Sequence, residues 1–203
     1  MTVLFVIPQH VAIPGWLYQK KRARIVWQKY SNTLVCQSQH EHFMRIALEL
    51  AKQSFYQREV PIGAVLVNAK GEVIAKGRNQ VETTKDPTQH AELQCIQAGA
   101  KVCGNWRLLN TTLYSTLEPC AMCLSALQLA RVSLVVYGAK DFRLGAIESW
   151  YPLVQVDHPF HQITFMGGIL EEECAEWIRK FFFNIRRNKS LEIEVEKCHR
   201  DDH

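Results

Sequence analysis

Two cysteines three positions apart, Cys120 and Cys123, begin an Ala/Leu-rich run directly after a proline. Such a pair is typical of a redox dithiol, of half a structural zinc site, or of part of a catalytic zinc site. Upstream, His90 and Glu92 stand two apart near the start of another predicted helix. One histidine and two cysteines supply three ligands and leave the fourth position of a tetrahedral zinc ion open for water. Three ligands plus water is the pattern of a catalytic site.

The carboxylate of Glu92 completes this predicted chemistry. Two thiolates formally cancel the charge of the zinc ion, so its water is acidified less than it would be by an all-histidine site. A base beside the water compensates, and Glu92 is turned away from the ligand direction of His90 on a helix. His-x-Glu alone is common on solvated helices, and Cys-x-x-Cys alone also fits a redox dithiol. Their conjunction at two helix starts favours a catalytic zinc.

The elements that must position these residues follow from hydrophobic periodicity and turn residues. We expect the 86–99 helix to be capped by Asp86 or Thr88 and ended by Gly99. The pattern predicts a three-layer α/β/α sandwich with a mixed, about five-stranded central sheet. The predicted helices cover 42–57, 86–99, 120–130 and 169–187, and the predicted strands cover 62–68, 73–79, 111–117, 131–139 and 160–168.

Composition and net charge limit the classes of protein to which this sequence can belong. The 203 residues include 47% hydrophobic and 22% charged residues, as in a globular protein, and no apolar run is long enough for a membrane span. The net charge of +4 permits a polyanionic partner without requiring one. Seven scattered cysteines favour a reducing compartment, and Cys95 and Cys174 are expected to be packing residues.

Charge also divides the chain. Residues 1–40 contain no Asp or Glu, and we interpret them as a loose or disordered accessory arm, with an organelle transit peptide and an over-long translated start as the alternatives. Residues 41–189 are predicted to form one folded domain, and residues 190–203 a polar tail.

The motif HAE…PCAMC resembles the zinc-dependent nucleoside and nucleobase deaminases. Between about residues 42 and 189, several segments are together similar to the bacterial and plastid tRNA-specific adenosine deaminases. The segment 149–161 and the 1–40 arm depart from the compact bacterial form. The similar segments are REVPIGAVLV, GRNQVETTKDPTQHAE, NWRLLNTTLYSTLEPCAMC, ARVSLVVYGAKDFRLGA and GGILEEECAEWIRKFFFNIRR.

The resemblance implies hydrolytic deamination of adenosine to inosine at the wobble position of a tRNA anticodon, after the base has left its stack. It implies a cytidine deaminase-like fold, one zinc ion per subunit held by His90, Cys120 and Cys123, and Glu92 as the catalytic acid/base. It further implies a homodimer, an arginine tRNA as substrate and a bacterial cytoplasmic location, with plastid import as the alternative.

Substrate contacts are also implied by the resemblance. Asn79 and the backbone of Ala91 would hold the flipped nucleoside. Asp141 and Arg143 would lie near the RNA, although they fit a surface ion pair equally well. The run 179–189 combines five basic residues with three phenylalanines and no acid, which suits phosphate contact and base stacking. The alternative is a helix with a Phe core face. The residues of this run that match the family ending are Phe182, Phe183, Arg186 and Arg187.

Two other functions remain open at this point. A deaminase of a free base or nucleotide, such as guanine, cytidine, deoxycytidylate or a pterin-like base, would share the metal site, so zinc chemistry does not separate it from a tRNA enzyme. A non-catalytic RNA-binding subunit with structural zinc would not need the glutamate, and the presence of Glu92 disfavours it.

Overall fold

The computed structural model describes residues 34–156 and 158–201, with side chains described for 37–156 and 158–187. The description below concerns the compact unit that begins at Gln37. Most of the predicted arm, and the side chains of the predicted tail, lie outside the described residues. The first described helix, α1, begins at Leu34, earlier than the predicted residue 42. Both domain boundaries stay predictions.

A mixed five-stranded sheet forms the centre of the domain, with strand order β2-β1-β3-β4-β5. Strand β1 pairs antiparallel with both of its neighbours, whereas β3, β4 and β5 pair in parallel. Strand β2 therefore runs in the same direction as β3 and β4. The strands are β1 (Gly63–Val67), β2 (Val73–Arg78), β3 (Thr112–Leu117), β4 (Leu134–Ala139) and β5 (Thr164–Met166).

Helices cover both faces of this sheet. In β1, Leu66 belongs to a core cluster with Leu113 and Leu124, whereas its neighbour Val65 belongs to a second cluster with Met44. Because successive strand residues point to opposite faces, one sheet separates two cores, which confirms the predicted three-layer sandwich. The helices are α1 (Leu34–Tyr56), α2 (Val81–Thr84), α3 (Ala91–Cys103), α4 (Ala121–Leu129) and α5 (Glu171–Asp201), with a 3-10 turn at Leu153–Gln155.

The predicted limits of α3 were wrong at both ends. His90 is its N-cap residue, and Gly104, at φ 60°, follows its last residue. The Asp86 side chain accepts hydrogen bonds from Thr88 and Gln89 within its own turn, so it is not available to cap the helix. Gly99 lies inside the helix, where a Cβ atom would come within 2.5 Å of Leu66 Cδ2, so close packing explains this glycine.

Strand β5 is shorter than the predicted 160–168. His158 Nδ1 accepts hydrogen bonds from the backbone N–H groups of Phe160 and His161, and this turn occupies the first part of that range. Within the described residues, no helix combines the length and apolarity that crossing a membrane requires.

Candidate active site

Three parallel strands end at the same edge of the sheet, and the residues that follow them form part of the site. Asn79 follows β2, Glu118 follows β3, and the segment that starts at Lys140 follows β4. Helices α3 and α4 begin at this edge too, with His90 and Cys120 as their N-cap residues. In open α/β sheets, the carboxyl ends of parallel strands are where ligands bind.

The three predicted zinc ligands are brought together. His90 Nδ1 lies 3.7 Å from Cys120 Sγ and 3.4 Å from Cys123 Sγ, and all three ligand atoms lie within 4.8 Å of one another. Tetrahedral zinc, with bonds of about 2.0–2.3 Å, places its nitrogen and sulfur ligands about 3.5–3.8 Å apart. The donor set and its spacing therefore fit zinc. His90 and Cys120 are half-buried, and Cys123 is buried.

The electrostatics of the cluster favour the ligand form of Cys120. Hydrogen bonding from Cys123 and from His90, against the effect of burial, lowers the pKa of Cys120 to about 4. A thiolate is the form of cysteine that binds metal. A helix N-terminus lies directly beside this sulfur and contributes partial positive charge.

Glu92 lies beside the cluster and is 4% exposed. Burial raises its pKa to about 7. Its Oε2 atom is buried and has no hydrogen-bond partner among the described residues. A buried carboxylate oxygen without a partner is costly, so a ligand or water is expected to meet it. This is the position required of a general acid/base.

A cavity of about 500 Å³ opens at these residues, within the size range of small-molecule sites. One wall comes from the turn after α1 and from the segment after β2. Further lining residues come from the segment after β4 and from α5. The lining residues used below are Arg58, Glu59, Asn79, His90, Glu92, Glu118, Cys120, Asp141, Arg143 and Phe182.

The predicted substrate residues divide into two groups. Asn79, Asp141, Arg143 and Phe182 line the cavity. The others are not among its lining residues: Ala91 is buried at the start of α3, and the remaining three are exposed side chains of α5. These three are Phe183, Arg186 and Arg187. Their role as substrate contacts therefore stays a prediction.

Asp141 and Arg143 also interact with each other. Arg143 Nε lies 4.0 Å from Asp141 Oδ1, and the backbone N–H of Arg143 donates to the same oxygen at 3.0 Å. Asp141 and Arg143 thus form a surface ion pair and also line the cavity, two roles that the sequence leaves as alternatives.

Sequence reasoning missed two buried carboxylates in the cavity wall. Glu59 and Glu118 are 0% and 2% exposed. Glu118 accepts backbone N–H groups from Asp141, Ile147, Glu148 and Ser149, so it holds the segment after β4 against the start of α4. An available signal was the position of each acid one or two residues before a proline, in REVPIG and STLEPC.

Comparison with known proteins agrees with this geometry. Residues 37–139 match the family model described as the cytidine and deoxycytidylate deaminase zinc-binding region. The tRNA-specific adenosine deaminase of Haemophilus influenzae is 41% identical over 152 residues, which cover 75% of this chain and 88% of that protein. The chain belongs to the tRNA-specific adenosine deaminase family. The resemblance and the zinc cofactor predicted from the sequence are thereby confirmed, and the redox dithiol is disfavoured.

Other relatives extend the comparison. The tRNA-specific adenosine deaminase of Bacillus subtilis is 43% identical over 75% of this chain and 94% of its own length. The chloroplastic tRNA(adenine(34)) deaminase of Arabidopsis thaliana is 46% identical over 70% of this chain, which spans only 12% of that protein. A solved structure from a study of A-to-I editing by tRNA:A34 deaminases is 40% identical, with a TM-score of 0.64 over 67% of this chain and 98% of that one. A guanine deaminase from Nitrosomonas europaea, 19% identical with a TM-score of 0.59, shares the fold.

Proposed function

We propose that this protein hydrolyses adenosine to inosine at the first anticodon position of a tRNA. The observation that carries the proposal is the His90–Cys120–Cys123 cluster beside the unpartnered carboxylate oxygen of Glu92, in a cavity large enough for a nucleoside. The relatives named above supply the substrate class, since bacterial members of the family carry the description of tRNA-specific adenosine deaminases.

His90, Cys120 and Cys123 would hold the zinc ion, which when bound supplies Lewis acidity that makes a water molecule a nucleophile at neutral pH. Glu92 then accepts a proton from the water that attacks C6 of adenine and delivers it to N1. The same carboxylate next takes the proton of the new C6 hydroxyl group and passes it to the amino group; the C6–N bond then breaks, C6 becomes the carbonyl carbon of inosine, and ammonia leaves. Adenosine and water are consumed, and inosine and ammonia are produced.

The cavity walls bind and orient the nucleoside. Asn79 holds it from the β2 side, and Arg143 with Phe182 contacts the neighbouring RNA from the opposite side. A base in an anticodon loop enters such a cavity only after it is flipped out of its stack. Beyond the cavity, the exposed Arg186 and Arg187 extend a basic surface along α5 toward the RNA backbone. These contacts favour an RNA substrate over a free base.

The test uses purified full-length protein and an arginine tRNA transcript with adenosine at the wobble position. Inosine formation is measured by reverse transcription and sequencing, with free adenosine, guanine, cytidine and deoxycytidylate as parallel substrates. Conversion of the wobble adenosine alone supports the proposal. Turnover of a free base without tRNA conversion would instead make the protein a small-molecule deaminase.

Assembly and location belong to the same proposal. We infer a homodimer from membership of the family, and light scattering of the purified protein measures its mass directly. A bacterial cytoplasm fits the two bacterial relatives, and plastid import is the alternative because one relative is chloroplastic.

A further inference from the structure

Glu59 is a fully buried carboxylate in the wall of the cavity, at the turn between α1 and β1. Its Oε2 atom accepts a hydrogen bond from Asn79 Nδ2 at 3.1 Å and another from the backbone N–H of Glu82 at 3.1 Å. Its Oε1 atom accepts the backbone N–H of Thr83 at 2.6 Å. Three donors from the short segment 79–83 therefore converge on one side chain.

The chemistry of this contact determines which way the amide of Asn79 points. An ionised carboxylate only accepts hydrogen bonds, so the amide must turn its NH₂ group toward Glu59. The backbone of Asn79 is already engaged, since its N–H donates to Ile62 O and its carbonyl accepts from Ser54 Oγ. Asn79 Oδ1 is the polar atom that these contacts leave to the cavity.

We propose that Glu59 is a positioning residue that locks the Asn79 amide with its carbonyl oxygen toward the bound nucleoside, where it accepts a hydrogen bond from an N–H or O–H group of the substrate. The inference rests on the proposed function, because it assigns Asn79 to substrate binding. It adds a buried acid that never touches the substrate yet determines what the substrate contact recognises. A nucleoside that placed an acceptor against Asn79 would be rejected by repulsion between two oxygens.

A matched control occurs in the same chain. In the turn between β1 and β2, Asn68 Nδ2 donates to Glu72 Oε2 at 2.8 Å, which is the same Asn–Glu pairing on an exposed surface. Glu72 precedes β2 and Asn79 follows it, so the two pairs lie at opposite ends of one strand. Glu72→Gln thus removes an equivalent contact far from the cavity.

The experiment is a double-mutant cycle on kcat/KM for the wobble-position tRNA, with the full-length zinc-loaded protein. We expect Glu59→Gln and Asn79→Ala each to lower kcat/KM by about 10–100-fold, as for coupled polar contacts. Adding Glu59→Gln to Asn79→Ala should cost no more than about 2-fold further, because the amide it positions is gone. Glu72→Gln should retain wild-type kcat/KM. Additive losses in the double variant would overturn the proposal, since Glu59 would then act independently of Asn79.

Two further readouts separate this inference from the assigned reaction. The side-chain amide resonances of Asn79, identified by their loss in Asn79→Ala, should shift in Glu59→Gln and stay unchanged in Glu72→Gln. That measurement needs no turnover, so it holds even if the wild-type protein were inactive on tRNA, an outcome that would remove the proposed function alone. If the Asn79 amide resonances are unchanged in Glu59→Gln, Glu59 does not fix the orientation of that amide and the proposal is refuted.

The donor on the substrate has two possible sources, the amino group of the base and the ribose 2′-hydroxyl. Replacing the wobble nucleotide by 2′-deoxyadenosine distinguishes them. If the penalty of Asn79→Ala disappears on the deoxy substrate, the hydroxyl is the donor. If the penalty persists, the donor lies on the base.

Discussion

The guanidinium of Arg143 lies over the ring of Phe182, with Cζ 4.7 Å from the ring centroid. This contact joins the segment after β4 to helix α5, and both residues line the cavity. A cation held on one face of an aromatic ring remains charged and available to a phosphate, while the other face of the ring can stack on a base. The pair therefore gives the cavity wall the two contacts that single-stranded RNA requires.

Replacing this ring should weaken RNA binding and leave the metal site intact. For Phe182→Ala we expect KM for tRNA to rise about 5–50-fold, because stacking on an aromatic side chain is worth roughly 1–3 kcal/mol per base. Zinc content should stay at the wild-type level. Trp106→Ala is the matched control, since Arg107 Cζ lies 3.9 Å from the Trp106 ring centroid on an exposed surface outside the cavity. Equal KM values for Phe182→Ala and the wild type would exclude stacking at this ring.

The zinc assignment predicts which cysteines the metal needs. Cys120→Ala and Cys123→Ala should each lose bound zinc, measured by mass spectrometry of the metal in purified protein. Cys95→Ala should retain it, because Cys95 Sγ is buried against Ala64 O at 3.3 Å and belongs to the packing of α3 on β1. Full zinc occupancy in Cys120→Ala would contradict the ligand set.

The metal cluster was the most predictable part of the site because its residues are ordered by local rules. The spacing of Cys120 and Cys123 puts both thiols on one face of α4, and His90 meets them because α3 and α4 each follow a strand and begin at the same sheet edge, which the order of the elements predicts. The end of α3 was less predictable, because Gly99 is there for its packing against Leu66 and not as a helix stop. That contact between layers leaves no signal in the helix itself.

Buried carboxylates were the hardest residues to predict. The donors of Glu59 come from residues 79, 82 and 83, and those of Glu118 come from residues 141 to 149. Only the folded sheet edge brings these segments together, so the sequence shows an acid one or two residues before a proline and not the N–H groups that meet it. The short helix α2 was missed for the same reason, since Glu59 binds the N–H groups of its first turn.

Glu59 should make stability depend on pH. Burial by itself raises the pKa of Glu59, but hydrogen bonds from Thr83 and Glu82, with the nearby charge of Arg78, hold it below its ordinary value. A carboxyl whose folded pKa is lowered stabilises the fold above its unfolded pKa of about 4.3, and this stabilisation is lost as pH falls through the folded pKa. At pH 7, Glu59→Gln should therefore lower Tm by about 3–10 °C.

The pH dependence itself is the sharper part of this prediction. The Tm difference between the wild type and Glu59→Gln should shrink as pH falls below about 4.3. That value is the pKa of the carboxyl in the unfolded chain, so protons then bind the unfolded state before the folded one. Differential scanning fluorimetry at roughly pH 3.5–8 measures Tm against pH for both proteins. Glu72→Gln should show almost no difference at any pH, since its pair is exposed. A gap for Glu59→Gln that is constant with pH would mean that its charge contributes nothing.

Glu92 should be required for proton transfer and not for metal binding. Glu92→Gln preserves the size of the side chain but cannot accept the proton of the attacking water. We expect the single-turnover rate at saturating tRNA to fall by about 10²–10⁴-fold or more, because one group serves several proton transfers. Zinc content and tRNA affinity should both remain. Loss of zinc in this variant would make Glu92 a structural member of the metal site.

The basic end of α5 should contribute binding without chemistry. Arg186 and Arg187 are exposed beyond the cavity, and we assign them to tRNA phosphates. The double variant Arg186→Ala/Arg187→Ala should bind tRNA more weakly, and the slope of log K against log salt should become shallower by about 1.4–1.8, since each of the two phosphate contacts releases condensed counterions. Its single-turnover rate at saturating tRNA should match the wild type.

Two other cations on the same helix provide the control for that double variant. Arg179 pairs with Glu172, and Lys180 Nζ lies 2.7 Å from Glu176 Oε1, so acidic neighbours already offset their charges. Arg179→Ala/Lys180→Ala removes the same formal charge from α5 and should change the salt slope far less. Fluorescence anisotropy of labelled tRNA at a series of salt concentrations measures both slopes. If the two double variants shift the slope equally, the effect is that of net charge alone, and Arg186 and Arg187 make no specific contact with the phosphates.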